Sequence, residues 1–474
     1  MITQEEYNMV KQVNRDLSIK IELLNYKFQT VDELSGVVIG TPSFTVNADS
    51  DIRRTCSLSL IPKDSSFDIK NGNKIWMDKY VRIFIGINNN MTNEVIYSKQ
   101  GIYMIHNPNH IYNATNNSID IQGIDLMAKL TGLRNGNLDG VEYVILEDSD
   151  VRLAVIDLLK IAGFNNYIIS DYPIKTPYEI KVGRSSNIYE ILRQLRDILP
   201  NYQMYFDLDG VFHFEEIPSG KDEQIFIDDD IWKSTLISYS KGNDYTQVKN
   251  VIRVFGKMHD ITNFANESEI VNDTYKIKLP NVISLRDYLK VGFITKKAIK
   301  NPKLQINDLP VYPILNENKT VPILEDGEQY YVVKFKKDYF EFMGDIEPYG
   351  IAKEENPNSP FYIKGALGEI PITLEGGEYD NIFTNQLAQE RANWELYSRC
   401  KLKDSVSLEC IPIYWADVNK IISITLPNKT GDEETNLYII KSINTTFGVT
   451  GTQSIQCMRY YPFYSDYVKN EKGE

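Results

Sequence analysis

The chain has 474 residues, 42% of them hydrophobic and 24% charged, and a net charge of −14. That length suggests about three domains, each able to bury a real core. An acidic surface repels phosphate backbones, which argues against a nucleic-acid partner, and no apolar run approaches the roughly 20 residues that span a bilayer.

The N-terminal stretch MITQEEYNMVKQVNRD has no apolar h-region and does not read as a signal peptide, so synthesis and assembly in a cytoplasm are expected. Thr3 and Glu6 have the spacing of a capping box that opens a short helix. Alternating apolar residues then predict strands over Leu17–Leu24, Ser43–Val46, Ile52–Ile61, Tyr80–Ile87, Glu94–Tyr97, Gly101–His106 and Ser118–Gly123, with a short helix over Ile124–Leu130. Many short strands separated by Gly, Pro and Asn suggest an antiparallel barrel or sandwich.

From Asp148 the period changes. Asp148 or Asp150 caps a helix that Gly163 closes, and Tyr167–Ser170 is a short strand. In IYEILRQLRDILPNYQMYFDLDGVFHFEEIP (Ile188–Pro218), Ile188, Ile191, Leu192, Leu195 and Leu199 recur at helical spacing. Asn187 and Glu190 cap that helix and Pro200 ends it. A hairpin follows around Asp207-Leu208-Asp209-Gly210, with Val211 and His213 on one face and Phe212 and Phe214 on the other. Asp228 caps a short turn, and strands are expected at Ile237–Tyr239 and Val248–Phe255. The stretch from Glu269 to Asn381 reads as an irregular insertion with strands at Tyr330–Phe335 and Ile370–Leu374. A helix begins after Thr384, and strands over Ser405–Ile413, Lys420–Leu426, Leu437–Asn444 and Gly451–Tyr460 close the chain.

The class is therefore α+β and β-rich, with two antiparallel β-regions, an intervening helix-hairpin unit and an irregular insertion; the resemblance given below implies that each β-region is an antiparallel β-barrel domain. The boundaries read as residues 1–145 for the N-terminal helix and first barrel and 146–240 for the helix-hairpin unit. Residues 241–268 with 382–465 form the second barrel, 269–381 the insertion and 466–474 a polar tail.

Chemistry-bearing residues are sparse. Cys56, Cys400, Cys410 and Cys457 form no CxxC pair, so neither a disulfide framework nor a zinc site is expected. His106 and His110 flank Asn107-Pro108-Asn109, which reads as a turn rather than a metal site. Asp207 or Asp209 with Glu215 or Glu216 could be offered as a glycosidase pair, but the first two read as turn residues and the glutamates point to opposite strand faces. No GxSxG, HExxH or GxxxxGK[ST] motif is present. No catalytic, cofactor-binding or metal residue is assigned, and the chain is not read as an enzyme. The 31 tyrosines favour strands and large contact surfaces instead.

Five stretches in order carry a resemblance. They are SDIRRTCSLSL (Ser50–Leu60), the Ile188–Pro218 unit, QVKNVIRVFGK (Gln247–Lys257), NPNSPF with LAQERANWELYSR, and DSVSLECIPIYWADVNKIISITLP (Asp404–Pro427). Together the chain resembles the baseplate or tail-hub proteins of phage tails and tail-like particles, related to the first domains of VgrG-like spikes. In that pattern Gln247–Lys257 opens the second barrel. The resemblance implies a virion protein assembled in the bacterial host cytoplasm. It implies a homotrimer whose six barrels match a six-fold tail tube and join it to a three-fold tip or spike. Its partners would be the tube or distal tail protein, the tip or spike, and the tape measure protein. Closed rings of this kind bury about 2,000 Å2 or more in heterologous contacts. The alternatives are a peripheral receptor- or carbohydrate-binding tip protein, using aromatic loops near Tyr330-Tyr331 or Asn356–Tyr362, and a tail-associated cell-wall hydrolase. The short tail after Tyr460 leaves the hydrolase no room.

Overall fold

The computed structural model describes residues 3–461, apart from 13–14, 90–91, 93, 139–142, 171–174, 184–185, 200, 221–222, 260, 402, 428–430 and 449. Pro200 and the tail of 466–474 lie outside the described residues. The chain is α+β and β-rich, with five α-helices among the described residues: α1 (Gln4–Val10), α2 (Val151–Ile161), α3 (Ile188–Asp197), α4 (Asp229–Thr235) and α5 (Asn385–Arg399). The capping chemistry fixes where they start. Thr3 Oγ1 accepts from the Glu6 N–H at 3.1 Å while Glu6 accepts from the Thr3 N–H at 2.9 Å. Asn187 and Glu190 repeat this box at α3. Asp150, not Asp148, caps α2, and Asp148 sits in the left-handed region at φ 64°. Each such cap satisfies an otherwise orphaned N–H and contributes about 1 kcal/mol.

Among the described residues thirteen strands share one large sheet with two halves. In the first, Leu17–Leu24, Thr30–Glu33, Val38–Asn47, Arg54–Leu60, Tyr80–Asn88, Val95–Tyr112 and Asn117–Ile124 pair antiparallel. Alternation turns Ile21, Phe44, Leu58, Ile83, Tyr103 and Ile121 onto a common core, so this half wraps around it. In the second, Lys403–Cys410, Ile421–Pro427, Glu433–Thr446 and Gln453–Arg459 enclose Leu408, Ile422, Ile440 and Ile455, with Trp232 of α4 beneath them. The halves are joined by main-chain pairing: Ser442–Thr446 runs antiparallel to Ser43–Asn47.

Between them, α2 and α3 pack on a three-stranded sheet of Tyr167–Ile169, Tyr202–Phe206 and Phe212–Glu216. Phe206, Phe212 and Phe214 share this core with Ile102, Met104 and Ile124 of the first half, so the unit is welded to that half by apolar burial.

Three expectations are corrected. His106–His110 is not a turn: Val95–Tyr112 runs through it as one strand, with a bulge between His106 and Asn109. Asn107 at φ 43° and Pro108, which lacks an N–H, absorb the extra residue without ending the strand. The insertion is not irregular. Phe264–Ala265, Glu269–Val271, Thr274–Ile277, Lys290–Thr295, Lys303–Ile306, Tyr312–Leu315, Gln329–Lys336 and Tyr339–Asp345 build an eight-stranded sheet around Tyr275, Phe293, Leu304 and Phe340. Five of its eight described strands have four residues or fewer and its turns use Asn272, Asp273 and Asn307 at positive φ, which masks the alternation there. Third, Val251–Phe255 does not open the second half of the large sheet. It pairs with Tyr349–Lys353 and Pro371–Leu374 in a separate sheet on which α5 packs. Buried Asn250 pins that region, donating to the Phe361 and Gly368 carbonyls at 2.9 and 2.7 Å.

Candidate functional site

The polar face of the Tyr202–Phe206/Phe212–Glu216 hairpin, opposite its phenylalanines, holds Gln203, Tyr205, His213 and Glu215. Asp207 closes the turn by accepting from the Asp209 and Val211 N–H groups, each at 2.9 Å, with Gly210 supplying φ 76°. The other Asp207 oxygen lies 3.1 Å from His213 Nε2, and Glu215 lies 3.2 Å from His213 Nδ1. The imidazole is thus clasped at both nitrogens. Tyr205 stacks on it with centroids 4.9 Å apart and donates its hydroxyl to Glu215 at 2.8 Å.

The network crosses into both halves of the large sheet. The Arg53 guanidinium lies 4.0 Å from the Tyr205 ring centroid and donates to Gln203 Oε1 at 2.9 Å, and the Asn419 amide donates to the same oxygen at 2.7 Å. Adjacent Arg54 forks onto both oxygens of Asp417 at 2.9 and 2.7 Å. Asp125 accepts from the Arg54 and Met127 N–H groups, each at 2.9 Å. Three structural units therefore meet at one buried polar seam.

Its electrostatics are those of a lock. Burial works against the His213 imidazolium, but the hydrogen bonds and charges of Asp207 and Glu215 outweigh it and push the group up to about 9. Burial likewise opposes charge on Asp207 and Glu215, yet their His213 bonds hold both below the usual carboxylate range. Asp417 stays low against burial because Arg54 and Arg53 face it. Asp125 goes the other way: burial outweighs its backbone bonds and raises it to about 6. A histidine held charged, with both nitrogens engaged, is not poised to take a proton at neutral pH.

Of the carboxylates weighed in the sequence, Asp207 and Glu215 converge on one histidine. Asp209 instead pairs with Lys99 at 2.5 Å on the surface, and Glu216 bonds Asn201 and Ser219. The other histidines are scattered. His110 bonds Asn117 at 2.8 Å, His106 faces the bulge pocket, and His259 packs near Phe383 with burial pushing it down to about 4. Among the described residues no group of three or more His, Cys, Asp or Glu could hold a metal ion. The four cysteines are free thiols. No helix among the described residues is long and apolar enough to cross a membrane.

Sequence reasoning missed Arg53, Arg54, Asp417 and Asn419. The visible signal was an Arg pair inside the otherwise alternating IRRTCSLSL. A second seam escaped it too. Buried Lys334 pairs with Glu147 and, at 2.7 Å, with Glu341, and Lys336 pairs with Asp148, tying the eight-stranded sheet to the helix-hairpin unit.

The fold assembled this way is shared with a solved prophage tail protein. The chain is similar to the 43 kDa tail protein of prophage MuSo2 from Shewanella oneidensis, at 11% identity and a TM-score of 0.50, covering 94% of this chain and 98% of that one. It is also similar to a tail protein from Neisseria meningitidis MC58, at 6% identity and a TM-score of 0.49, covering 94% and 96%. A third similar structure is the prophage tail protein gp18 from Listeria monocytogenes EGD-e, at 11% identity and a TM-score of 0.44, covering 96% and 100%. A family model described as a domain of unknown function (DUF5048) matches residues 358–464, which include α5 and the closing strands. No curated protein matches the sequence significantly.

Proposed function

We propose that this chain is the structural hub of a phage-type tail: a homotrimer that forms a ring at the distal end and adapts a six-fold tube to a three-fold tip or spike. The observation that carries the reading is the fold likeness to the MuSo2 43 kDa tail protein, which runs over nearly the whole of both chains. Each half of the large sheet is read as one antiparallel barrel, so three chains present six. The main-chain seam between Ser442–Thr446 and Ser43–Asn47 supports this, because it fixes the two halves as one rigid pair. The clasped histidine and the paired arginines support a load-transmitting role over a catalytic one. The partners are then the tube or distal tail protein on one side and the tip or spike on the other, with the tape measure protein inside. Antibody-bound gold against this chain, imaged on whole tails, is expected at the distal end only. Label along the tube or on peripheral fibres would sink the reading.

A further inference from the structure

A concave patch on the first half of the large sheet carries chemistry that internal contacts use only in part. It forms where three segments meet: a loop bearing Ile69, Trp76 and Met77, the strand bulge at His106, and a loop bearing Leu133 and Arg134. The space is about 270 Å3, below the roughly 300–1,000 Å3 of small-molecule sites and suited to a single bulky side chain. Its rim is unusually greasy: Ile69, Met77 and Leu133 expose 41%, 57% and 50% of their surfaces.

Two of the residues that line it each carry a polar atom without a partner. Arg134 donates to the Ile105 carbonyl at 2.6 Å, but its buried Nε–H finds no acceptor, and His106 Nδ1 is buried without a partner. Among the described residues no carboxylate pairs with Arg134. His106 is the last residue in regular register before the bulge, and Asn107 and Pro108 of the bulge line the same space. Burial and then the Arg134 charge hold His106 below its ordinary value, so it stays neutral and leaves Arg134 as the charge in the pocket.

We propose that this pocket receives a segment of a partner protein that inserts one bulky apolar side chain and presents a neighbouring carboxylate to Arg134. A guanidinium beside an apolar socket is complementary to that pair of groups and to neither alone. The inference goes beyond the tail reading and does not depend on it.

The test uses two probes titrated into the full chain by ligand-observed NMR: acetyl-Phe-Asp-amide and its neutral twin acetyl-Phe-Asn-amide. The acidic probe is expected to bind at one site about tenfold more tightly, and Arg134→Gln should erase the difference. Met77 is exposed, so Met77→Asp should leave the fold intact and weaken the acidic probe by repulsion. Equal affinity for the two probes, a preference that survives Arg134→Gln, or Met77→Asp without effect would each overturn the proposal. If Arg134→Gln does not fold, the twin-probe comparison and Met77→Asp decide it.

Discussion

His213 is the residue at which sequence pattern and structural role diverge most. Alternation put it on the polar face of its hairpin, but only the fold shows both ring nitrogens engaged by carboxylates. Its value rises from 6.5 in the ordinary case to about 9 here, so the folded state binds the proton more tightly than the unfolded one. The stabilisation is therefore complete below about pH 6.5 and lost as pH rises through 9, and is worth on the order of 3 kcal/mol. Denaturant melts across that range should show the decline, and His213→Gln should flatten it. A parallel decline in the variant would assign the effect elsewhere. The Arg54–Asp417 fork was illegible for a different reason: its partners stand 363 residues apart, and nothing local marks them as a pair. Arg54→Met strands part of a buried carboxylate and should cost about 3–5 kcal/mol by equilibrium unfolding. Asn250→Ala breaks a three-bond peg and should cost about 2–3 kcal/mol in the same assay.

Among the elements, those with strong local chemistry were legible. Capping boxes at Thr3/Glu6 and Asn187/Glu190 gave two helix starts, and the apolar stripe of α3 gave its buried face. Leu195 lies fully buried in that stripe, so Leu195→Asp should abolish folding of the helix-hairpin unit, read as loss of soluble protein or of its amide protection. Asp209→Asn removes only an exposed ion pair with Lys99 and should shift stability by less than about 1 kcal/mol. Comparable damage from both would refute the division of that unit into a core face and a solvated turn. The elements that were misread share a cause. The His106–Asn109 bulge has turn residues but lies inside a ladder, and five of the eight described insertion strands have four residues or fewer, too short to display a period. Val251–Phe255 was read correctly as a strand and given the wrong neighbours, because strand partners are set by tertiary packing rather than by local pattern.

On the scale of the whole molecule, the order of pieces carried more than any one motif. Two β-rich regions flanking a helix-hairpin unit were visible in the sequence. Their union through Glu433–Thr446 was not, because one strand serves both halves: its first part pairs with Ile421–Pro427 and its last with Ser43–Asn47. The polar seams at Arg54–Asp417 and Lys334–Glu147 hold the remaining units against this frame. On the proposed reading each half of the sheet supplies one barrel, so that a ring of three copies shows six. The most direct test is the mass of the purified protein by light scattering across a wide concentration series. The account predicts a concentration-stable particle of three times the 54.6 kDa chain mass. A mass that stays at that of one chain at every concentration would contradict a self-assembling trimeric hub.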